Sequence, residues 1–345
     1  MKYFSMFSGI GGFEYGIKQA FSNKQFTEVK QDRQGGNRNS HKRRHDVLST
    51  SRSTPFCIGY SEIDKYAIQI YEKHFKHKNY GDATTIDTKQ LPDFDLLVGG
   101  FPCQAFSIAG KRKGFDDTRG TLFFEIARIL ADKRPRYFVL ENVKGLLSHD
   151  EGKTFQTILG VLTDLGYEYQ WQVLNSKNFG VPQNRERVFI VGHLRGEPRP
   201  KVFPIGESDG ISSEKNSRQQ GERERICSTI DSRYGALRNS GETYIKRCIP
   251  VLTPNREQKR QNGRRFKTNG EPAFTLTGQD IHGVYDGLKI RRLTPTECER
   301  LQGFPDGWTE GISDTQRYKC LGNAVTTNVV QAVIDKLSQL EEGKG

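Results

Sequence analysis

Up to about residue 200, short apolar runs alternate with longer stretches in which apolar positions recur every three or four residues. The runs are Tyr3–Phe7, Phe56–Tyr60, Asp95–Val98, Tyr137–Leu140 and Val188–Val191. Each is long enough for a buried strand and too short for a helix. Among the intervening stretches, Thr121–Ala131 places Leu122, Ile126, Ile129 and Leu130 on one helical face, with Pro135 beyond its end. Lys153–Leu165 reads the same way and is closed by Gly166, in the position where a left-handed residue ends a helix. Strands alternating with helices predict an α/β fold with a mostly parallel sheet.

Two segments interrupt the rhythm. Residues 28–54 are rich in Gln, Asn, Ser, Arg and Lys and nearly free of large apolar groups, so they read as a mobile polar insertion. Residues 206–222 are a second polar stretch and mark a boundary. Beyond it the strand-like pieces Ile226–Ile230 and Ala273–Thr277 are mixed with basic loops. The α/β pattern resumes at Leu293. Thr294, Pro295 and Glu297 form a capping box that starts a helix ending near Gln302, and Val325–Leu340 predicts a closing helix. The division is 1–200 plus 291–345 for the main domain and 201–290 for a smaller one.

The 345 residues are enough for about two domains by the ~150-residue prior. The formal charge of +12 favours a polyanionic partner. No run of ~18 apolar residues is present to span a bilayer, and the chain opens on a strand rather than a signal peptide. The six cysteines have no CxxC spacing, which argues against zinc and against a disulfide framework. A reducing, cytosolic setting fits.

Four constellations carry chemistry. Phe7-Ser8-Gly9-Ile10-Gly11-Gly12 ends the first strand and opens a helix, where glycines let the backbone approach a ligand. Glu62 after the second strand is placed to accept hydrogen bonds from a ribose diol, and Asp82 follows what reads as a third strand. Together they point to a nucleoside cofactor, and the absence of GxxxxGK[ST] argues against ATP. Cys103, in Gly99–Ser107, follows a strand and precedes a polar, basic segment, an environment that lowers a thiol pKa. Glu141-Asn142-Val143 delivers polar groups to the carboxyl edge of the sheet. In Gln183–Arg187, Arg185 and Arg187 alternate and so face one side, as a clamp for an anion or a base edge.

FSGIGG, GGFPCQAFS, ENV, QNRER and GNAV, in that order, resemble the ordered motifs of the cytosine-5 DNA methyltransferases. The resemblance runs from Phe4 to about Val191 and again from Arg291 to about Ile334. It implies a Rossmann-like S-adenosylmethionine-dependent methyltransferase sheet, with 201–290 as target-recognition domain. It implies Phe7, Gly9, Gly11, Glu62, Asp82, Pro102, Leu122 and Asn323 around S-adenosylmethionine, and Cys103, Glu141, Arg185 and Arg187 as the catalytic set. Cys103 would add to carbon 6 of a flipped-out cytosine, Glu141 would act at N3, and Arg187 would steady Glu141 and the base carbonyl. The insertion between the glycine turn and Glu62 departs from the family pattern.

Residues 104–120, with Gln104 and Ser107, read as a loop closing over the base and mobile without DNA. Arg256, Lys259, Arg260, Arg264, Arg265 and Lys267 are expected on phosphates. Thr275-Leu276 resembles a pair seen in the family's target domains, which places Thr275 at the DNA and Gln279, Asp280 or His282 at base edges. The expected partner is duplex DNA, the expected state a cytoplasmic, nucleoid-associated monomer, with a restriction endonuclease acting on the same site without a stable complex. The alternatives are a tRNA cytosine-5 methyltransferase, whose target domain is usually smaller, and an inactive DNA-binding relative, against which every chemical position is filled.

Overall fold

The computed structural model describes residues 1–22, 55–102, 122–206, 248–255, 264–268, 270–285 and 289–339. The insertion at 28–54, the 104–120 loop and Ile226–Ile230 lie outside the described residues, as do Cys103, Gln104, Ser107, Arg256, Lys259 and Arg260.

The large sheet is built from β1 (Lys2–Met6), β2 (Phe56–Ser61), β3 (Leu96–Gly100), β4 (Tyr137–Val143), β5 (Tyr167–Asn175) and β6 (Glu186–Leu194), in the order β2-β1-β3-β4-β6-β5. Strands β2, β1, β3 and β4 pair in parallel, and β6 runs antiparallel to both its neighbours. The central strands are apolar on both faces, as a sheet covered by helices on each side requires. Tyr3, Leu96, Val98 and Val139 face α1 (12–22) and α7 (Thr327–Ser338), through Phe13, Ile17, Val330 and Ile334. Phe4, Met6, Leu97 and Phe138 face α3 (Leu122–Lys133) and α4 (Lys153–Asp164), through Phe123, Ile126, Ile158 and Leu162. Neighbouring residues thus pack into different layers, the period-2 consequence of the pleat.

A third cluster joins Ile10 to Ala67 and Ile70 of α2 (Lys65–His74), to Cys298 and Leu301 of α5 (Pro295–Leu301), and to Cys320 and Leu321 of α6 (Asp314–Asn323). The expected Thr294–Glu297 capping box is formed, and Gly303 follows at φ +79°. A small antiparallel sheet holds β7 (Ile249–Leu252), β8 (His282–Tyr285) and β9 (Ile290–Arg292).

The structure corrects three expectations. No third strand precedes Asp82: Lys78–Tyr80 makes only one parallel bridge, Tyr60 to Asn79, held by Tyr60 N–H on Lys78 O and Tyr80 N–H on Tyr60 O. Ala273–Thr277 is no strand either, because its hydrogen bonds run to residues 182–184 through one bridge and through side chains. The closing helix begins at Thr327, two residues later than the pattern suggested. Residues 200–205 lie along β5. Gln170 and Gln172 of β5 clasp the backbone of 200–205, and Val202 and Ile205 are buried in the core.

Candidate active site

The carboxyl ends of β3 and β4 lie side by side, with Gly100 and Glu141 as register partners. Arg187 of β6 is opposite Val143, two residues along β4 from Glu141 and therefore on the same face. Its Nε lies 3.0 Å from Glu141 Oε1, with both side chains largely buried. Burial raises the Glu141 pKa, and the Arg187 and Arg185 charges only partly offset that.

Asn142 fixes the neighbouring backbone. Its buried Nδ2 donates to Phe101 O at 2.9 Å, and its Oδ1 accepts from Val143 N–H at 2.8 Å. The chain is thereby held where it leaves β3. Pro102, exposed, is the last described residue before Cys103.

A second group of residues gathers at the ends of β1 and β2. Phe7, Gly9 and Gly11 all have positive φ, at 54°, 55° and 85°. A Cβ on Gly11 would sit 2.5 Å from the Phe75 ring, whereas one on Gly9 would meet nothing within 4 Å. The turn is therefore tight on one side and open on the other. Glu62 spans it: Oε2 accepts from Gly9 N–H at 2.8 Å, and Oε1 accepts from Ile63 and Asp64 N–H at 2.8 and 2.9 Å. Asn79 ties this acid to the next loop, donating from Nδ2 to Glu62 O at 3.2 Å and accepting from Gly81 N–H at 2.9 Å. Asp82 is exposed and caps Thr84 through its N–H and hydroxyl at 2.9 and 2.8 Å, bonds that lower its pKa. From the other side, Lys319 of α6 reaches Asp64 at 2.9 Å. Asn323 follows one turn along α6, and Val325 packs against Gly12.

Comparison with known proteins decides the family. The family description "C-5 cytosine-specific DNA methylase" matches residues 1–339. The chain is 36% identical to the type II methyltransferase M.NlaX of Neisseria lactamica, over 97% of this chain and 96% of that protein. It is 40% identical to M1.ScrFI of Lactococcus lactis subsp. cremoris, over 82% and 72%. The chain belongs to the C-5 cytosine-specific DNA methylases. Among solved structures, S. pombe Dnmt2 methyltransferase covers the whole chain with a TM-score of 0.62 at 18% identity, a likeness of fold.

The protein is therefore a DNA cytosine-5 methyltransferase with S-adenosylmethionine as methyl donor. The residues around Glu62 suit such a ligand: a carboxylate for hydroxyls, open space before Gly9, and Ile63, 70% exposed, as an apolar plate for a base. Leu122, half-buried, starts α3. Ile63 and Asn79 escaped the sequence reading. Ile63 carried a signal, being a large apolar residue between Glu62 and Asp64 outside any periodic run.

Arg185 and His282, two other expected site residues, are buried. Arg185 is 2% exposed, and its Nη atoms donate to three backbone carbonyls rather than facing an open clamp. Burial, with Arg187 nearby, pushes its pKa down to about 9. The Thr275 hydroxyl, half-buried, donates to Asn184 O. His282 is buried in β8, and burial pushes its pKa down to about 4. Arg264 pairs with Glu271 at 2.8 Å, and Arg265 lies over the Phe266 ring at 5.2 Å. Gln279 is exposed. No helix among the described residues is long and apolar enough to cross a membrane.

Proposed function

We propose that this methyltransferase modifies a cytosine rotated out of duplex DNA, through a transient bond between the Cys103 sulfur and carbon 6. The buried Glu141–Arg187 pair, one strand over from the chain that leads to Cys103, carries this reading. Carbon 5 of an aromatic pyrimidine is a weak nucleophile. Thiolate addition at carbon 6 breaks the aromaticity, while a proton from Glu141 at N3 takes up the charge moved into the ring. General acid help of this kind contributes ~10²–10⁴-fold. S-adenosylmethionine supplies an electrophilic methyl group, which carbon 5 accepts. Loss of the carbon-5 proton to a water, return of the N3 proton to Glu141 and cleavage of the sulfur–carbon bond then restore the ring and free the thiolate. A stacked base exposes neither face, so extrusion must come first.

The cofactor is assigned to Phe7, Gly9, Gly11, Glu62, Asp82, Pro102, Leu122 and Asn323. Phosphate contacts are assigned to Arg256, Arg260, Arg264 and Arg265, with Gln104 and Ser107 on the loop over the base. Gln279 is assigned to base readout from the small sheet's side of the molecule. The enzyme is assigned to act as a monomer, and the type II methyltransferase names of the bacterial relatives support an endonuclease that cuts the same site. Incubation with methyl-labelled cofactor tests the reading. Label should enter duplex DNA and not tRNA, Cys103→Ser should abolish transfer, and bisulfite mapping should return one sequence. Labelling of tRNA alone, or an active Cys103→Ser enzyme, contradicts it.

A further inference from the structure

Residues 273–278 cross from the small sheet to the large one, and residues 182–185 receive them bond by bond. Ala273 N–H donates to Pro182 O at 2.8 Å, and Asn184 N–H donates to Ala273 O at 3.0 Å. Leu276 N–H donates to Gln183 Oε1 at 2.8 Å, and Gln183 Nε2 in turn reaches Leu301 O at 2.8 Å. Arg185 closes the seam. Its Nη1 donates to Leu276 O at 2.7 Å, and its Nη2 donates to Gly322 O at 3.1 Å and Ala324 O at 2.8 Å.

These carbonyls belong to two different functional elements. Gly322 and Ala324 flank Asn323 at the carboxyl end of α6, where helix carbonyls lack partners and a cation is favoured. Leu276 leads into the turn 277–280, which is locked by Thr277 Oγ1 on Asp280 Oδ2 and by Asp280 N–H on Thr277 Oγ1, both at 3.0 Å. Gln279 stands exposed on that turn. The two backbones touch directly: a Cβ on Gly322 would lie 2.3 Å from Thr277 C and 2.4 Å from Gly278 N. A planar guanidinium holds carbonyls from both segments at once, a geometry that an ammonium cannot reproduce.

We propose that Arg185 is a positioning residue that makes the 277–280 turn and the Asn323 end of α6 one rigid unit, so that cofactor and target sequence are sensed together. The proposal rests on the reading above, in which Asn323 lines the cofactor and Gln279 faces a base. Two ligands that bias one rigid unit must strengthen each other's binding by the same factor.

Fluorescence anisotropy on the full chain tests this. The probes are the duplex identified by bisulfite mapping and a scrambled duplex, each with and without S-adenosylhomocysteine. In the unsubstituted protein the cofactor product should tighten the mapped duplex by about 5- to 100-fold, within the usual range of such couplings. In Arg185→Lys the factor should fall below about 2-fold, with affinity for the scrambled duplex unchanged. Thr275→Val, which removes one bond of the same seam, should give an intermediate factor if Arg185→Lys does not fold. An undiminished factor in the folded variants, or a loss confined to kcat, overturns the assignment. Absence of coupling in the unsubstituted protein overturns it too, with the methyltransferase reading intact. Failure to bind either duplex strikes that reading instead.

Discussion

Arg187 and Glu141 meet diagonally across antiparallel strands, Nε to Oε1 at 3.0 Å, in a place where neither side chain is more than 15% exposed. Removing one partner of such a pair leaves the other charge buried and alone, which typically costs 3–5 kcal/mol. Arg187→Met should therefore lower stability by roughly that amount in denaturant titrations. It should also change the pH profile. Burial already holds Glu141 above its ordinary pKa, and loss of Arg187 removes the larger of the two opposing charges. Catalysis needs the protonated carboxyl, so kcat falls as pH rises through the Glu141 pKa, and in the variant that descending limb should move to higher pH. A limb at the same pH in both proteins would separate Glu141 from the chemistry.

Gly100 lacks a side chain for a reason that the same acid supplies. A Cβ there would lie 2.9 Å from Glu141 Oε2. Gly100→Ala should push the carboxyl off its position while leaving the strand pairing of β3 intact. Because misplacement by ~1 Å costs up to ~10²-fold in rate, kcat should drop by at least ~10-fold with little change in melting temperature. Unchanged kcat would show that the carboxyl position is not critical.

Glu14 on α1 is buried beneath the glycine turn, 1% exposed, accepting from the Tyr71 hydroxyl at 3.0 Å. His77 Nδ1 lies 2.8 Å from the same hydroxyl. Burial raises the Glu14 pKa from 4.5 to about 7. The folded protein thus binds this proton more tightly than the unfolded chain, and stability declines as pH rises from about 4.5 to about 7. A shift of that size corresponds to a difference on the order of 3 kcal/mol. Glu14→Gln should remove the decline, so its stability relative to the unsubstituted protein should be higher at pH 8 than at pH 5. Parallel stability curves across that range would contradict it.

Much of this was legible in the sequence, for identifiable physical reasons. Strands β1 to β4 are largely buried, so each is an apolar run followed by the residues of a site: Glu62, Pro102 and Glu141 all come just after such runs. Strand β5 was missed because it is the sheet edge, where Glu168, Gln170 and Gln172 dilute the apolar signal. Helix α6 was missed because its buried residues, Cys320, Leu321 and Gly322, cluster at one end instead of recurring.

Arg185 shows a different limit. Alternation with Arg187 told which side it faces, but not that carbonyls 91, 137 and 139 residues away would close around it. Depth and distant partners have no local signature. The same holds for Thr275, whose hydroxyl finds Asn184, and for Asn142, whose amide finds Phe101.

The bond between Cys103 and carbon 6 is most directly tested with a duplex in which 5-fluorocytosine replaces cytosine at the mapped site. Fluorine cannot leave carbon 5 as the proton does, so the final elimination is blocked once the methyl group is in place. With S-adenosylmethionine present, the protein should form a complex that survives denaturing electrophoresis, and peptide mapping should place the nucleotide on Cys103. A complex attached elsewhere, one formed equally by Cys103→Ser, or none at all from an enzyme that methylates the unmodified duplex, would contradict covalent catalysis by this residue.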